Sequence, residues 1–244
     1  MTLPEYLTID EGSVIAFVGC GGKTSIIALI ADKFRDKKVL VSPTAKMFPM
    51  KMENVMLCET PRECEEHEPQ TDIQCLGIMN TASGKLEALP EKTLAKLIKY
   101  YDLVLLEADG SRGLPCKGWL PNEPAVPPFC THTAGLMTIN VLGKAAMEQT
   151  VHRLPEFLSL TNLSEGEAIT AQALEAMICA PNGMFKNNVG RKYLLINQVE
   201  DDAAASVAVS FLRTINENHP GYFERLLYGS VHLNHWQEVS PSTV

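Results

Sequence analysis

The chain has 244 residues, of which 45% are hydrophobic and 20% are charged, a balance typical of a soluble globular protein with one large domain or two small ones. Its formal net charge of −8 argues against nucleic acid as a partner, because nucleic-acid binders need a basic surface. The N-terminal residues lack the basic start and long apolar run of a signal peptide, and no stretch approaches the roughly eighteen apolar residues of a membrane span. We therefore expect a cytoplasmic protein that binds neither nucleic acid nor membrane.

The seven cysteines are an odd number and form no C-x-x-C pair, which predicts free thiols in a reducing compartment and no zinc site. An acidic stretch over residues 59–70 contains Glu63, Glu65, Glu66 and His67. We interpret this stretch as a solvated loop rather than a metal site, because runs of charge are usually exposed to solvent.

The most informative stretch is Gly19-Cys-Gly-Gly-Lys-Thr-Ser25, which follows the apolar residues Val14–Val18 and precedes a helical apolar pattern. This order, in which a strand is followed by a glycine turn, a Lys-Thr pair and a helix, is typical of a phosphate-binding loop. In such a loop, backbone amides, the helix N-terminus and a lysine surround anionic oxygens. The Thr24 hydroxyl is placed to bind Mg²⁺. The predicted nucleotide-binding residues of this loop are Gly19, Gly21, Gly22, Lys23, Thr24 and Ser25, with Lys23 facing solvent when no ligand is bound.

The spacing of this loop differs from that of a Walker A loop, whose first glycine lies six residues before the lysine, where this chain has Phe17. Gly19 lies four residues before Lys23, which is closer to the G-x-x-G-K-T-T loop of the Mur peptide ligases. The alternative interpretation is a glycine-rich turn that carries a solvated lysine. The preceding strand and the following helix favour phosphate binding.

The helix that begins at Lys23 ends near residue 38, and Val39–Ser42 follows as a second strand, so this part of the chain is a βαβ unit and predicts a parallel sheet. Further strands are predicted at Asn54–Cys58, Ile73–Met79, Lys85–Leu89, Val104–Leu106, Ala134–Leu142, Tyr193–Ile196 and Arg225–Ser230. Helices are predicted at 91–101, 154–160, 170–179 and 203–216, and the tail that contains His232 and His235 has a helical pattern. We expect one P-loop NTPase-like α/β domain over residues 1–244, with a mainly parallel sheet, helices on both faces and a small β-hairpin insertion at residues 53–90.

A second informative stretch is Val104–Leu106, a buried strand that ends in Glu107 and is followed by Asp109. Carboxylates at the C-terminal end of a strand are what a nucleotide site needs to hold Mg²⁺ through its water shell. We predict that Thr24 binds the metal together with Asp109 or Glu107, and that Lys23, Glu107 and Asp109 are the catalytic residues. The alternative is a strand end followed by an ordinary Asp-Gly turn.

Six further residues are candidates for contact with the substrate or the phosphates, because they lie in loops or in segments that follow predicted strands, where ligands of open α/β sheets bind. They are Thr44, Lys46, Arg112, Lys117, His152 and Arg153. Arg112 and Lys117 belong to a proline-rich segment, residues 111–128, which has no predicted secondary structure and is therefore expected to be functional or mobile. The alternative for each is an ordinary polar surface residue.

The base of the nucleotide is predicted to lie near Asn197-Gln-Val-Glu-Asp201, which follows the strand Tyr193–Ile196. This element resembles the N-K-x-D motif with which GTPases read guanine, where the asparagine supports the site and the acid bonds the edge of the base. Gln198 replaces the lysine, and Glu200 stands at the position of the acid. Asn197 and Gln198 are predicted to bind the nucleotide, and the choice between ATP and GTP stays open.

Several of these motifs together resemble, in order and spacing, the selenium-dependent hydroxylase accessory proteins, the YqeC-like family. The motifs are Gly19–Ser25, Thr44–Lys46, Leu106–Gly113 with Lys117, Asn122–Pro124, Val151–Arg153 and Asn197–Asp201. The resemblance spans Ser13 to Ser230, and the chain departs from the family at Ala45, where a threonine is usual, and at Gln198. It implies a P-loop nucleotide-binding protein that acts in the maturation of a molybdenum hydroxylase, with that enzyme or its cofactor as a partner.

From the residues we therefore predict Mg²⁺-dependent binding and hydrolysis of a purine nucleoside triphosphate, ATP or GTP. Two rival functions stay open. One is a kinase or ligase whose small acceptor is held by Arg112, Lys117 and His152. The other is a non-catalytic, nucleotide-gated chaperone or insertion factor for a cofactor-bearing enzyme, for which the proline-rich segment is suggestive.

Overall fold

The computed structural model describes residues 1–50, 55–58 and 60–239. Its strands are β1 (Ser13–Gly19), β2 (Lys38–Pro43), β3 (Lys46–Met47), β4 (Val55–Cys58), β5 (Asp72–Asn80), β6 (Lys85–Glu87), β7 (Leu103–Glu107), β8 (Cys116–Lys117), β9 (His132–Thr138), β10 (Val151–His152), β11 (Arg191–Asn197), β12 (Arg225–Ser230) and β13 (His235–Glu238). Its helices are α1 (Leu3–Tyr6), α2 (Lys23–Asp32), α3 (Pro61–Glu65), α4 (Glu91–Leu97), α5 (Leu154–Thr161), α6 (Ala171–Cys179) and α7 (Asp202–Asn218). Two single-turn 3₁₀ helices, Ile98–Tyr100 and Ile139–Val141, follow α4 and β9. Within the described ranges, no helix combines the length and the apolar character needed to cross a lipid bilayer.

All but two of these strands form one sheet in the order β13-β12-β11-β9-β1-β7-β2-β5-β6-β3, with β4 paired to β5. The strands from β12 to β5 run parallel to one another, and β13, β6 and β3 are antiparallel to their neighbours. The short strands β8 and β10 pair with each other. The predicted α/β class and mainly parallel sheet are confirmed, and β1 lies inside the sheet, so the glycine loop that follows it lies at the edge where the parallel strands end.

The side chains of β1 divide between two hydrophobic clusters, one on each face of the sheet. Val14, Ala16 and Val18 belong to the cluster that contains buried side chains of α4, α5, α6 and α7. Ile15 and Phe17 belong to the cluster that contains buried side chains of α1 and α2. A parallel strand covered on both faces has a continuous apolar sequence, because every residue meets an apolar layer. Helices therefore cover both faces, as predicted.

The region predicted to be a small insertion is joined to the central sheet. Strands β5 and β6 form the predicted antiparallel hairpin, with Asn80 opposite Lys85. Strand β5 also pairs in parallel with β2 along residues 72–75, and β4 pairs in parallel with β5. The hairpin therefore extends the main sheet. Residues 53, 54 and 59 of the predicted insertion lie outside the described residues.

The acidic stretch predicted to be a loop contains a short helix and one end of a disulfide. Cys58 at the end of β4 is bonded to Cys64 in α3, so the prediction that all cysteines are free is wrong. The turn into α3 brings the two Cα atoms to 5.7 Å, within the usual range for a disulfide, although the sequence spacing gives no such signal. Thr60 accepts a hydrogen bond from the Glu63 amide and Pro61 opens the first turn, which explains why the helix begins here.

Three further segments differ from the prediction. They are the tail, strand β9 and the proline-rich segment. Strand β13 is antiparallel to β12, so the helical pattern predicted for the tail is wrong. Trp236 is buried between exposed neighbours, which is the two-residue period of a strand. The strand predicted to reach Leu142 ends at Thr138, where a 3₁₀ turn begins. The proline-rich segment contains β8, which is held by its pairing with β10.

Candidate nucleotide-binding site

The glycine loop connects β1 to α2. Gly19, Gly21 and Gly22 have φ angles of 90°, 92° and 110°, in the left-handed region that favours glycine. A β-carbon at Gly19 would lie 2.3 Å from the carbonyl oxygen of Leu136 in β9. Glycine is therefore required here by the backbone conformation and by the close approach of the neighbouring strand, and Lys23 begins the helix directly after the turn.

Lys23 is buried beneath the loop, with only 5% of its surface exposed. Its Nζ donates a hydrogen bond to the Gly19 carbonyl oxygen at 2.5 Å and lies 3.1 Å from Asp109 Oδ1. The prediction that Lys23 faces solvent is therefore wrong, because a buried carboxylate takes the ammonium as its partner. Burial acts to lower the pKa of Lys23, but the charges of Asp109 and Glu107 outweigh it, so the pKa is raised and the ammonium stays charged.

Asp109 connects the loop to the proline-rich segment. Its Oδ2 accepts hydrogen bonds from the Gly19 amide at 3.0 Å and from the Trp119 indole at 2.7 Å, and it lies 3.2 Å from Lys117 Nζ. Burial acts to raise the pKa of Asp109, but the charges of Lys23 and Lys117 outweigh it and hold the pKa below its ordinary value. Asp109 is fully buried, so its position suits holding the loop and its lysine rather than reaching a metal ion in the cleft.

Glu107 and Thr24 meet at the mouth of the loop. The Thr24 hydroxyl, in the first turn of α2, donates a hydrogen bond to Glu107 Oε2 at 2.7 Å. A hydroxyl and a carboxylate are the oxygen ligands that Mg²⁺ prefers, and Mg²⁺ usually completes its shell with water and substrate phosphates. In the described part of the chain no cluster of three or more His, Cys, Asp or Glu side chains could hold a metal by itself. Of the two acids left open by the sequence, Glu107 is the one placed beside Thr24.

A cleft of about 570 Å³ opens beside the loop. It lies between the first turn of α2, the end of β7, the β3 and β6 strands and residues 110–113. The predicted candidates that line it are Gly22, Lys23, Thr24, Ser25, Lys46, Glu107 and Arg112. Phe48 and Lys85 also line it, and neither was singled out from the sequence. The only sequence signal for Lys85 is its place at the hairpin turn. The sheet places this turn beside the cleft that the glycine loop also lines.

The remaining phosphate and substrate candidates lie outside the lining of this cleft and hold the proline-rich segment in place. The Thr44 hydroxyl donates to the Ala125 carbonyl oxygen at 2.6 Å. Lys117 is fully buried and donates to the Gly110 carbonyl oxygen at 2.7 Å. Arg153 donates to Glu123 Oε1 at 3.0 Å.

His152 pairs with Lys117 through the two-stranded β8–β10 sheet. Burial lowers the pKa of His152, and the charges of Lys117 and Arg153 lower it further, so the imidazole is neutral at neutral pH. Trp119, which was not singled out from the sequence, contacts Asp109 together with Lys117 of the same segment.

Asn197 contacts the glycine loop from the end of β11, on the opposite side of β1 from Glu107 in the sheet order. Its side-chain amide donates to the Gly21 carbonyl oxygen at 2.7 Å, and its Oδ1 accepts from the Val231 amide at 3.0 Å. The side chain of Asn197 is therefore already engaged on both polar atoms. A β-carbon at Gly22 would lie 2.8 Å from Asn197 Nδ2, so the asparagine and the glycine are fitted to one another. Gln198 is exposed beside it.

The two acids that follow Asn197 have local partners. Glu200 Oε1 accepts a hydrogen bond from the Ser230 hydroxyl at 2.9 Å. Asp201 caps α7 by accepting from the Ala204 amide at 2.7 Å. Each acid therefore already accepts a hydrogen bond from within the chain.

Glu107 gives the site a testable pH dependence. Burial raises the pKa of Glu107 above its ordinary value of 4.5, although Lys23 and the Thr24 hydroxyl act against the increase. The native state then keeps a proton that the unfolded chain has lost, so ionised Glu107 disfavours folding as the pH rises through the raised pKa. We expect Glu107→Gln to gain stability relative to the wild type as the pH rises from 4.5 towards neutrality.

Urea unfolding of both proteins without Mg²⁺, at several pH values across this range, measures the difference. Glu148→Gln, at an exposed position, is the matched control and should show no such trend. A difference between Glu107→Gln and wild type that stays constant with pH would contradict the raised pKa.

Comparison with known proteins places this site in a family. Residues 15–155, which include the glycine loop, Glu107, Asp109 and the proline-rich segment, match the family described as YqeC protein. Over 195 residues the chain is 30% identical to a protein named uncharacterized protein YqeC from Escherichia coli strain K12, and the match covers 75% of this chain and 76% of that protein.

Proposed function

The chain belongs to the YqeC family, and on that premise we propose that it is a P-loop NTPase-like protein that binds a purine nucleoside triphosphate with Mg²⁺ and hydrolyses it. The observation that carries the proposal is the contact between Thr24 and Glu107 directly beside a glycine turn and a helix N-terminus. A helix N-terminus with free amides favours anionic oxygens, and the adjacent hydroxyl and carboxylate suit the metal that accompanies a triphosphate.

In this proposal the amides of residues 21–25 and the ammonium of Lys23 bind the phosphates. Asp109 keeps Lys23 charged and holds the Gly19 amide, so it acts as a positioning residue. Lys23 would exchange its bond to the Gly19 carbonyl oxygen for bonds to phosphate oxygens. Because phosphoryl transfer needs little covalent chemistry from a protein, positioning and charge neutralisation supply most of the rate.

Thr24 and Glu107 are the residues that would hold Mg²⁺. When bound, the ion neutralises charge on the phosphate oxygens. Glu107 lies at the end of β7, and only 7% of its surface is exposed to solvent. The hydroxyl of Thr24 fixes the orientation of this carboxylate before any ligand arrives.

We further propose, from the family resemblance, that this activity serves the maturation of a molybdenum hydroxylase, with that enzyme or its cofactor as the partner. Release of phosphate that needs no added acceptor would support hydrolysis. Capture of the hydroxylase that depends on nucleotide but involves no turnover would support a nucleotide-gated chaperone instead.

Calorimetric titration with ATP and with GTP, with and without Mg²⁺, tests the proposal. We expect both nucleotides to bind more tightly with Mg²⁺ and to differ by no more than about tenfold, roughly 1.4 kcal/mol. The physical reason is that Gln198 replaces the lysine of the motif, and that Glu200, at the position of the acid that bonds the base edge, already accepts a hydrogen bond from Ser230. Such a site should discriminate only weakly between the edges of two bases.

Two results would contradict these expectations. A thousandfold preference for GTP would mean that the Asn197 element reads guanine despite Gln198. Absence of binding for both nucleotides would overturn the proposed function itself.

A further inference from the structure

Two cations that line the cleft beside the loop, Lys85 and Arg112, form no salt bridge within the described residues, and the charge of Lys85 acts on the carboxylate of Glu107. Lys85 Nζ lies 4.7 Å from the centroid of the Phe48 ring, and Arg112 is exposed at the start of the proline-rich segment. A third cation of the cleft, Lys46, is neutralised by Glu87 at 2.7 Å. Two cations that face one cleft without a salt bridge stand out in a chain with a net charge of −8, because they raise the positive potential there.

The sheet order shows where this cleft lies relative to a nucleotide. Asn197 ends β11, which is separated from β1 by β9 on one side of the loop. Glu107 ends β7, the neighbour of β1 on the other side. The described lining of the cleft comes from α2, β3, β6, β7 and the adjacent loops, and thus from the side opposite Asn197. A nucleotide whose base lies near Asn197 and whose terminal phosphate lies near Thr24 would leave the far part of the cleft open.

We propose that Lys85 and Arg112 bind a small organic anion, carrying a carboxylate or phosphate group, as a second ligand beside the terminal phosphate of the nucleotide. This inference rests on the proposed function, since it assigns the triphosphate to the loop. The planar guanidinium of Arg112 matches a carboxylate or phosphate through paired hydrogen bonds, and Lys85 adds a point charge. Mg²⁺ held by Thr24 and Glu107 would offset the negative charge of that carboxylate.

The test uses the full chain saturated with Mg²⁺ and a non-hydrolysable ATP analogue, so that the loop cannot take up the added anion. Succinate and inorganic phosphate are titrated separately, which distinguishes a carboxylate from a phosphate ligand. We expect at least one of them to bind the wild type. The double variant Lys85→Met/Arg112→Gln should weaken that binding by about tenfold or more and keep its affinity for the analogue within about twofold of wild type.

The matched control is Lys99→Met/Arg213→Gln, which removes one exposed lysine and one exposed arginine elsewhere and should bind the anion like the wild type. Thermal unfolding of both double variants shows that each is folded. The proposal is overturned if neither anion binds the loaded wild type, or if Lys85→Met/Arg112→Gln loses analogue affinity by the same factor, since the two cations would then hold the triphosphate. Failure of the analogue to bind the wild type would instead overturn the proposed function, and this inference with it.

Discussion

Replacement of Asp109 by alanine is expected to lower the free energy of unfolding by about 3 to 5 kcal/mol, the usual cost of removing one partner from a buried ion pair. Asp109 is fully buried and lies 3.1 Å and 3.2 Å from the ammonium groups of Lys23 and Lys117. Without it the buried ammonium groups of Lys23 and Lys117 lose this counter-charge, and the Gly19 amide and Trp119 indole lose their acceptor. Urea unfolding at neutral pH measures the loss.

Asp36→Ala, at an exposed position, is the matched control and should change stability by no more than about 0.5 kcal/mol.

The pKa of Asp109 is held below its ordinary value, so the stability it contributes is present at neutral pH and is lost as the pH falls through that lowered pKa. The difference between wild type and Asp109→Ala should therefore shrink in strong acid. A loss below about 1 kcal/mol at neutral pH would show that the two lysines do not depend on this carboxylate.

Lys23→Ala is expected to weaken binding of the Mg²⁺–ATP complex by about tenfold to a hundredfold, because a hydrogen bond from a charged donor contributes about 1.5 to 3 kcal/mol. The same change should also reduce stability, since Lys23 is buried against Asp109. The stability loss should be smaller than for Asp109→Ala, because Lys117 still lies beside the carboxylate. Calorimetric titration at a temperature where the variant is folded measures the affinity, and urea unfolding measures the stability.

Lys33→Ala, at an exposed position directly after α2, serves as the control and should change neither quantity appreciably. Unchanged affinity in Lys23→Ala, measured on folded protein, would show that Lys23 is a structural partner of Asp109 and that the phosphates are not bound by it. Loss of affinity with unchanged stability would show that the ion pair contributes nothing to folding.

Much of the fold could be predicted from the sequence because its signals are local. The five consecutive apolar residues Val14–Val18 form the centre of β1, and a strand covered on both faces requires such a run. The three glycines of the loop are needed at positive φ angles, so their spacing marks the turn without any knowledge of the rest of the chain. Predictions failed where the signal was weak or distant, as for the disulfide between Cys58 and Cys64 and for β13.

What the sequence determined by itself is the strand, glycine turn and helix that carry Lys23 and Thr24, together with the strand that ends in Glu107. Only the tertiary structure decided which partner each of them has. Thr24 and Glu107 are 83 residues apart in the chain, and Gly19 and Asp109 are 90 apart. Their pairing depends on β1 and β7 being neighbours in the sheet, and strand order is set by packing between distant segments, which no local pattern of residues specifies.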